Sequence, residues 1–534
     1  MNFKLPYTSF ILYFLLSIFA FFINFYYSNI GLYPIDTFSF FDTGYLITKG
    51  YHPIKDYWVI SGILIDYIQS LFFYIFGANW NAYVFHSSTI NACITILFFF
   101  FLNNFIKNLL LNFILSISFS ILCYPVAGTP FSYQHALIFS LASILIFTLA
   151  VNKSRKIYWK ILPTLMVASF LCMQLPSGLI NLIILFFIFV HYVFIDKKFL
   201  KYFLEGSIYT FILLGFYFIL TQVPIRDFLI QIIFFPLEFG SSRILGKEEA
   251  YQAANLVKKF TSRGVVGHFK FINVFILMNF ICLFILISKK KKFFNKKILI
   301  NLFILFCTIA FIFHQLITAN QTFIFSLIPI LCAYFIIQLK DFFNIENKKI
   351  NIFFIIYILF VTAKYNDVYN SKRKFMDLQN INLNNAVSAK KLSNKFNELK
   401  WITPIHYSSN PNKEISLLKK TIDTIKNNEE KELMVITHYQ FFSLILEKKL
   451  NIPNRWYFPN NNTYPSTNES KFRDHYFKRF NNILNKKKIK TIYVVESRKR
   501  EFKKINFEYL LQKKCYKKNR LNEMLYEIRI MNCS

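Results

Sequence analysis

Eleven times between residues 8 and 364 the chain runs through an apolar stretch of roughly 20 residues, the length an α-helix needs to cross about 30 Å of hydrocarbon. The runs fall at 8–27, 83–102, 109–126, 133–151, 157–175, 177–195, 202–222, 271–288, 298–314, 322–339 and 350–364. With 55% hydrophobic residues overall, this pattern excludes an ordinary soluble enzyme. The first run lacks a small-residue cleavage site and is followed by further spans, so it reads as a membrane helix and not a removable signal peptide.

A twelfth run, "ISGILIDYIQSLFFYIFG" at 60–77, carries Asp66 and Gln69 on one helix face. Charge decides its status. With eleven spans and the N-terminus inside, the short inside loops hold 18 Lys and Arg, whereas the outside loops 127–132 and 315–321 hold none and 28–82 holds only Lys49 and Lys55. Cytoplasmic loops carry the excess of basic residues. The reading is therefore eleven spans, with 60–77 lying at the outer interface and Asp66 on its wet side. The expected architecture is an α-helical polytopic membrane protein. Its transmembrane domain covers 1–364, with outer loops at 28–82 and 223–270, and a soluble extracytoplasmic α/β domain covers 365–534.

Within that tail, "LMVITHY" (433–439) and "TIYVVE" (491–496) read as strands. "SAKKLSNKFNEL", "ISLLKKTIDTIKN" and "RDHYFKRFNNILNK" read as helices from their apolar spacing, and "PNNNTYPSTNES" as a loop. The tail is net +18, which suits anionic membrane lipids or acidic glycans. No nucleic-acid partner is expected, because an outward-facing tail rarely meets one and no reading motif is visible.

Cys93, Cys123, Cys172, Cys282, Cys307 and Cys332 fall inside spans as small apolar groups. Cys515 and Cys533 flank a closing hairpin in the tail and in an oxidising compartment either pair or stay free. No Cys and His spacing suits zinc, so no structural metal is expected.

Between the first two spans lies "YPIDTFSFFDTGYLITKGYHPIKDYWVISGILIDYIQSLFFYIFG", residues 33–77. An acid just beyond the first span, a short helical stretch, a G-x-x-P turn, an aromatic pair and an apolar interfacial helix ending in "FG" resembles the opening of the GT-C glycosyltransferases. The likeness is to the branch with the protein O-mannosyltransferases and the lipid A aminoarabinose transferase. In that family the carboxylate stands about fourteen residues before a loop glycine, a spacing that Asp36 and Gly50 match; Asp42, in "DTGY", is the alternative. The family often carries a second Asp where the fourth span begins, and "SYQHALIF" has His135 there, a neutral side chain that cannot share a proton as a carboxylate does.

The resemblance implies transfer of a sugar from a polyprenyl-phosphate donor to a lipid, glycolipid or surface-glycan acceptor. The setting would be the outer face of a cytoplasmic membrane, such as a bacterial inner membrane. No cofactor is expected, although the resemblance leaves room for a divalent cation. The leaving phosphate needs no strong acid, but the acceptor needs a base, for which Asp36 is the candidate. Departing phosphate must meet positive charge, and loop 223–270 supplies Arg226, Arg243, Lys247 and Arg263, with Arg243 and Arg263 leading because Arg makes two-pronged phosphate contacts. His135, Gln174, His314 and Gln321 fall near outer ends of spans, a level that suggests an outward-opening polar cavity. Asp56 reads as orienting its loop and Trp58 as an interfacial anchor. The rival classes are a polytopic transporter or lipid flippase, against which stand the lack of paired inverted halves and the scarcity of Gly, and a glycan polymerase or ligase, which would not depend on Asp36.

Overall fold

The structure, a computed structural model, describes residues 7–244, 267–288, 295–318, 323–343, 347–405, 407–457, 463–497, 501–512 and 514–531. Among the described residues, ten helices are long and apolar enough to cross a membrane. They begin with α1 (Tyr7–Ser28). After the short helices α2 (Pro34–Thr37), α3 (Phe41–Thr48) and α4 (Leu64–Phe76) come α5 (Trp80–Asn103), α6 (Leu109–Leu122) and α7 (Ser132–Lys153). The fifth of the eleven expected runs, 157–175, forms α8 (Lys156–Cys172), shorter at 17 residues because Met173 turns extended and separates it from α9 (Gln174–Phe194). α8 nevertheless joins the same two ends as its neighbours. Trp159 packs at a tilt with its ring 5.0 Å from His191 at one end, and at the other a Cβ on Gly62 would stand 1.7 Å from the Leu171 carbonyl oxygen, so only glycine fits.

The two ends of the bundle differ in chemistry. One gathers lysines: Lys160 pairs with Glu205 at 2.8 Å, Lys296 donates to Ser154 Oγ at 2.8 Å, and Lys297 lies 3.4 Å from Asp341. The other carries residues 28–82 and the C-terminal region. α7 runs nearly buried through the middle. Inside the bundle, amides bridge helices: Asn24 Nδ2 reaches Ser87 Oγ, Ser88 Oγ and the Gly128 carbonyl within 3.1 Å, and Asn91 Nδ2 donates to the carbonyls of Ala20 and Ser120. Such contacts hold apolar helices in register where the hydrophobic effect between them is absent.

The C-terminal region contains a four-stranded sheet. After a two-residue pair, β1 (Val387–Ser388) and β2 (Lys400–Trp401), come β3 (Leu433–Thr437), β4 (Thr491–Val495), β5 (Cys515–Arg520) and β6 (Leu525–Met531), the last four in spatial order β3-β4-β6-β5. β3 and β4 are the two expected strands, parallel and in register from Leu433 opposite Thr491; all their residues are buried, which explains their unbroken apolar sequences. The expected helices form at Pro411–Lys426 and Arg473–Lys486. "SAKKLSNKFNEL" does not become a helix. Ser388 and Ser393 each turn a hydroxyl onto the backbone N–H two residues on, breaking the stretch into two 3₁₀ turns. The described part of the 459–470 loop has no helix or strand.

Residues 28–82 and the C-terminal region share one aromatic core. Phe38, Phe41, Trp80 and Tyr83 interlock with Phe396, Trp401 and Phe441, all buried, with Phe41 stacked on Phe396 at 5.6 Å. Ile30 bridges Lys400 and Trp58 bridges Asn454. Trp58 is therefore no interfacial anchor: it is fully buried against Phe235 and Tyr476. α4 lies apolar side out, exposing Leu71, Tyr74, Ile75 and Phe76, while Asp66 and Gln69 point into the protein instead of water.

Candidate active site at the sheet-bearing end

α1 ends at Ser28, and the chain turns through Gly31 into α2, where Pro34 opens the first turn with its fixed φ. Gly31 has φ +67, and a Cβ there would meet Leu378 Cδ1 at 2.2 Å. This tight crossing presses the segment 373–378 onto the end of α1. Arg373, 1% exposed, clamps it by donating to the carbonyls of Ile30 (3.1 Å) and Pro125 (2.9 Å). Thr37 Oγ1 contacts Met376 Sδ at 3.5 Å. The result brings Asp377 beside Asp36.

Asp36 is half-buried, and its carboxylate accepts no hydrogen bond from a described residue. Burial pushes its pKa up to about 7 and the charge of Asp377 adds to the rise; burial raises Asp377 too. A carboxyl so placed is part-ionised at neutral pH and has unspent acceptor capacity, which is what general-base work requires. Among the described residues no group of three His, Cys, Asp or Glu gathers as metal ligands.

The other acids are committed. Asp42, 2% exposed, accepts the backbone N–H groups of Ser443 (3.0 Å) and Leu444 (2.9 Å) at the start of the short helix Phe442–Leu446; burial pushes its pKa to about 7 while those donors pull it down. Asp56 accepts the His52 N–H at 2.7 Å and shapes its own loop. Asp66 binds Arg455, which also holds Ser61 Oγ and the Gly62 carbonyl. Burial raises the Asp66 carboxyl and the guanidinium pulls it back.

Beyond Asp66 a closed hydrogen-bonded chain crosses three helices. Gln69 Oε1 lies 2.9 Å from His86 Nδ1, His86 Nε2 lies 2.9 Å from His135 Nε2, and His135 Nδ1 lies 2.6 Å from the Tyr124 hydroxyl, which accepts the Phe131 N–H. With Gln69 Oε1 as the terminal acceptor, Tyr124 donates to His135 Nδ1, His135 Nε2–H to His86 Nε2, and His86 Nδ1–H to Gln69; His135 Nδ1, then an acceptor, makes no bond to the Phe131 carbonyl 3.2 Å away. Both rings are then neutral with opposite tautomers. His135 thus lines no open cavity but sits wholly enclosed. Gln174 is buried at the first turn of α9, and His314 packs 5.6 Å from the Tyr133 ring at the same end.

Of the basic residues expected to meet phosphate, Arg226 is exposed beside Asp227, which pairs with His475 at 3.0 Å. The side chain of Arg243, and Lys247 and Arg263 altogether, lie outside the described residues, as does Gln321. Sequence reasoning missed Asp377, Arg373, Arg455 and His86. His86 had a signal, a polar side chain in the first turns of an apolar run among Ser87, Ser88 and Asn91; the other three come from the C-terminal region and had none.

The ten long apolar helices and the small C-terminal sheet are compatible with a multi-pass membrane protein. No family model matches the chain, and neither does any curated protein.

Proposed function

We propose that the chain is a membrane glycosyltransferase that takes a sugar from a polyprenyl-phosphate donor and passes it to a lipid, glycolipid or surface-glycan acceptor. The observation that carries the reading is Asp36: a carboxyl that accepts no hydrogen bond from a described residue, its pKa raised to about 7, in the short helix that follows the first long apolar helix. In the reaction Asp36 takes the proton of the acceptor hydroxyl or amine. The acceptor atom bonds to the anomeric carbon, the carbon–oxygen bond to phosphate breaks, and polyprenyl phosphate leaves as an anion. Arg226, Arg243, Lys247 and Arg263 are the proposed cations for that phosphate. An open apolar groove of about 580 Å³ between α1 and α6, lined by Leu15, Phe22, Tyr26 and Phe113 among others, is compatible with a prenyl-linked substrate.

The proposed setting is a cytoplasmic membrane with the sheet-bearing end outside. Support comes from the lysines gathered at the opposite end and from Cys515, which is disulfide-bonded, a state that persists in oxidising compartments. The test is incubation of purified protein with radiolabelled polyprenyl-phosphate sugars and cell-envelope extract, alongside Asp36→Asn. Label should move into envelope material with the natural chain and fall at least about 100-fold with the variant; equal transfer by the two would remove Asp36 as base.

A further inference from the structure

Where α4 ends and α5 begins, the chain turns through Gly77, Ala78 and Asn79 and leaves a cavity of about 450 Å³, within the size range of small-ligand sites. Its far wall is the turn Asn394–Phe396 of the C-terminal region, anchored by Phe396, which is fully buried against Phe41 and Trp80. The cavity adjoins the exposed apolar face of α4, so it opens at the depth where that face would rest on a bilayer.

Its lining is amide and aromatic: Asn79, Asn81, Asn394 and Asn397, with Phe76 and Phe85. Asn79 is spent, accepting the Ala82 N–H at 2.9 Å and donating to the Phe76 carbonyl. The other three are not. Asn81 Oδ1 is buried with no hydrogen-bond partner among the described residues. Asn394 and Asn397 are exposed and hold no side-chain hydrogen bond to a described residue. Lys395, the single charged residue among those lining the cavity, is already paired with Glu447 at 2.9 Å.

We infer that this cavity is a binding site for the uncharged sugar head group of a membrane glycolipid. Each free amide offers both donor and acceptor, which suits hydroxyl groups that are themselves both. The two phenyl rings offer apolar faces to the C–H side of a sugar. Neutralised Lys395 leaves little net charge to favour a phosphate. Asp36 is not among the residues lining the cavity, and the inference goes beyond the transferase reading without requiring it.

The test places full-length protein in phosphatidylcholine nanodiscs containing equal mole fractions of a monohexosyl diacylglycerol and phosphatidylglycerol, and counts the lipids retained by native mass spectrometry. The natural chain should keep the monohexosyl lipid in preference. The exposed pair Asn394→Ala with Asn397→Ala should lower that retention about tenfold, the effect of losing one or two net hydrogen bonds, with phosphatidylglycerol retention unchanged. Asn397→Trp, which fills the mouth without removing a buried group, should do the same. Equal retention of both lipids by the natural chain, or undiminished glycolipid on either variant, would overturn the site. No turnover is measured, so a failed transferase assay leaves this result standing.

Discussion

Asp66 and Arg455, 389 positions apart in the chain, form an ion pair with side-chain exposures of 0% and 1%. It ties the interfacial helix α4 to the C-terminal region, beside the Gly62–Leu171 contact. Removing one partner strands a charge out of water, which typically costs about 3–5 kcal/mol. Arg455→Met and Asp66→Leu should each destabilise the protein on that scale. The double variant should be less destabilised than the two single losses together, measured as a double-mutant cycle by thermal unfolding in detergent.

Asp36 makes stability depend on pH in a definite direction. Its folded pKa, about 7, lies above the ordinary 3.8, so the protonated form is the one the fold favours. That contribution is full below about 4 and is lost as pH rises through about 7. Asp36→Asn, which keeps the neutral shape, should match the natural chain at acidic pH and exceed its stability at pH 8 by on the order of 1–2 kcal/mol, a figure reduced because the side chain is only half-buried. Transfer should show the opposite trend, rising with pH to a plateau above about 7. Asp377→Asn should move that inflection downward without returning it to 3.8, since burial is the larger cause.

Asp42 separates a structural acid from a chemical one. It satisfies two backbone N–H groups of the helix Phe442–Leu446, so Asp42→Ala should cost about 1–3 kcal/mol. The fraction that stays folded should transfer sugar at the natural rate, measured per folded molecule after size-exclusion chromatography.

What the sequence revealed follows from how local each signal was. Apolar runs, the buried strands β3 and β4 and the amphipathic helix Arg473–Lys486 carry their pattern in consecutive residues, and all were readable. Asp66 and Gln69 were placed on one face correctly, but the face was turned the wrong way: on a helix bordering lipid the apolar side goes outward, so the polar side goes in. Asp36 drew notice by its position after the first run. Its neighbour Asp377 was not, because their meeting depends on Gly31, Arg373 and a chain crossing more than 300 residues long. Serines 388 and 393 defeated the apolar spacing of their segment by offering the backbone a nearer partner.

Cys515 closes a disulfide at the start of strand β5, while Cys93, Cys123, Cys172, Cys282, Cys307 and Cys332 are free. Alkylation of denatured protein should therefore gain two adducts after reduction, read by mass. An unchanged count would contradict the bonded state of Cys515 and with it one support for an oxidising compartment.

Sidedness is the remaining premise of the transferase reading, because polyprenyl-phosphate transfer at an outer face requires Asp36 there. Lys49 is exposed in the loop that follows α3, at the sheet-bearing end, and Lys348 is exposed at the start of the helix Lys348–Tyr365, whose other end continues toward Arg373. In a chain whose six free cysteines are replaced by serine or alanine, Lys49→Cys should react with an impermeant maleimide on intact cells. Lys348→Cys should react only after permeabilisation. Both substitutions sit on solvent-exposed side chains and should cost under about 0.5 kcal/mol. The reverse labelling would put the lysine-rich end outside, against the charge bias that cytoplasmic loops carry, and would place Asp36 on the wrong face for a lipid-borne donor presented from outside.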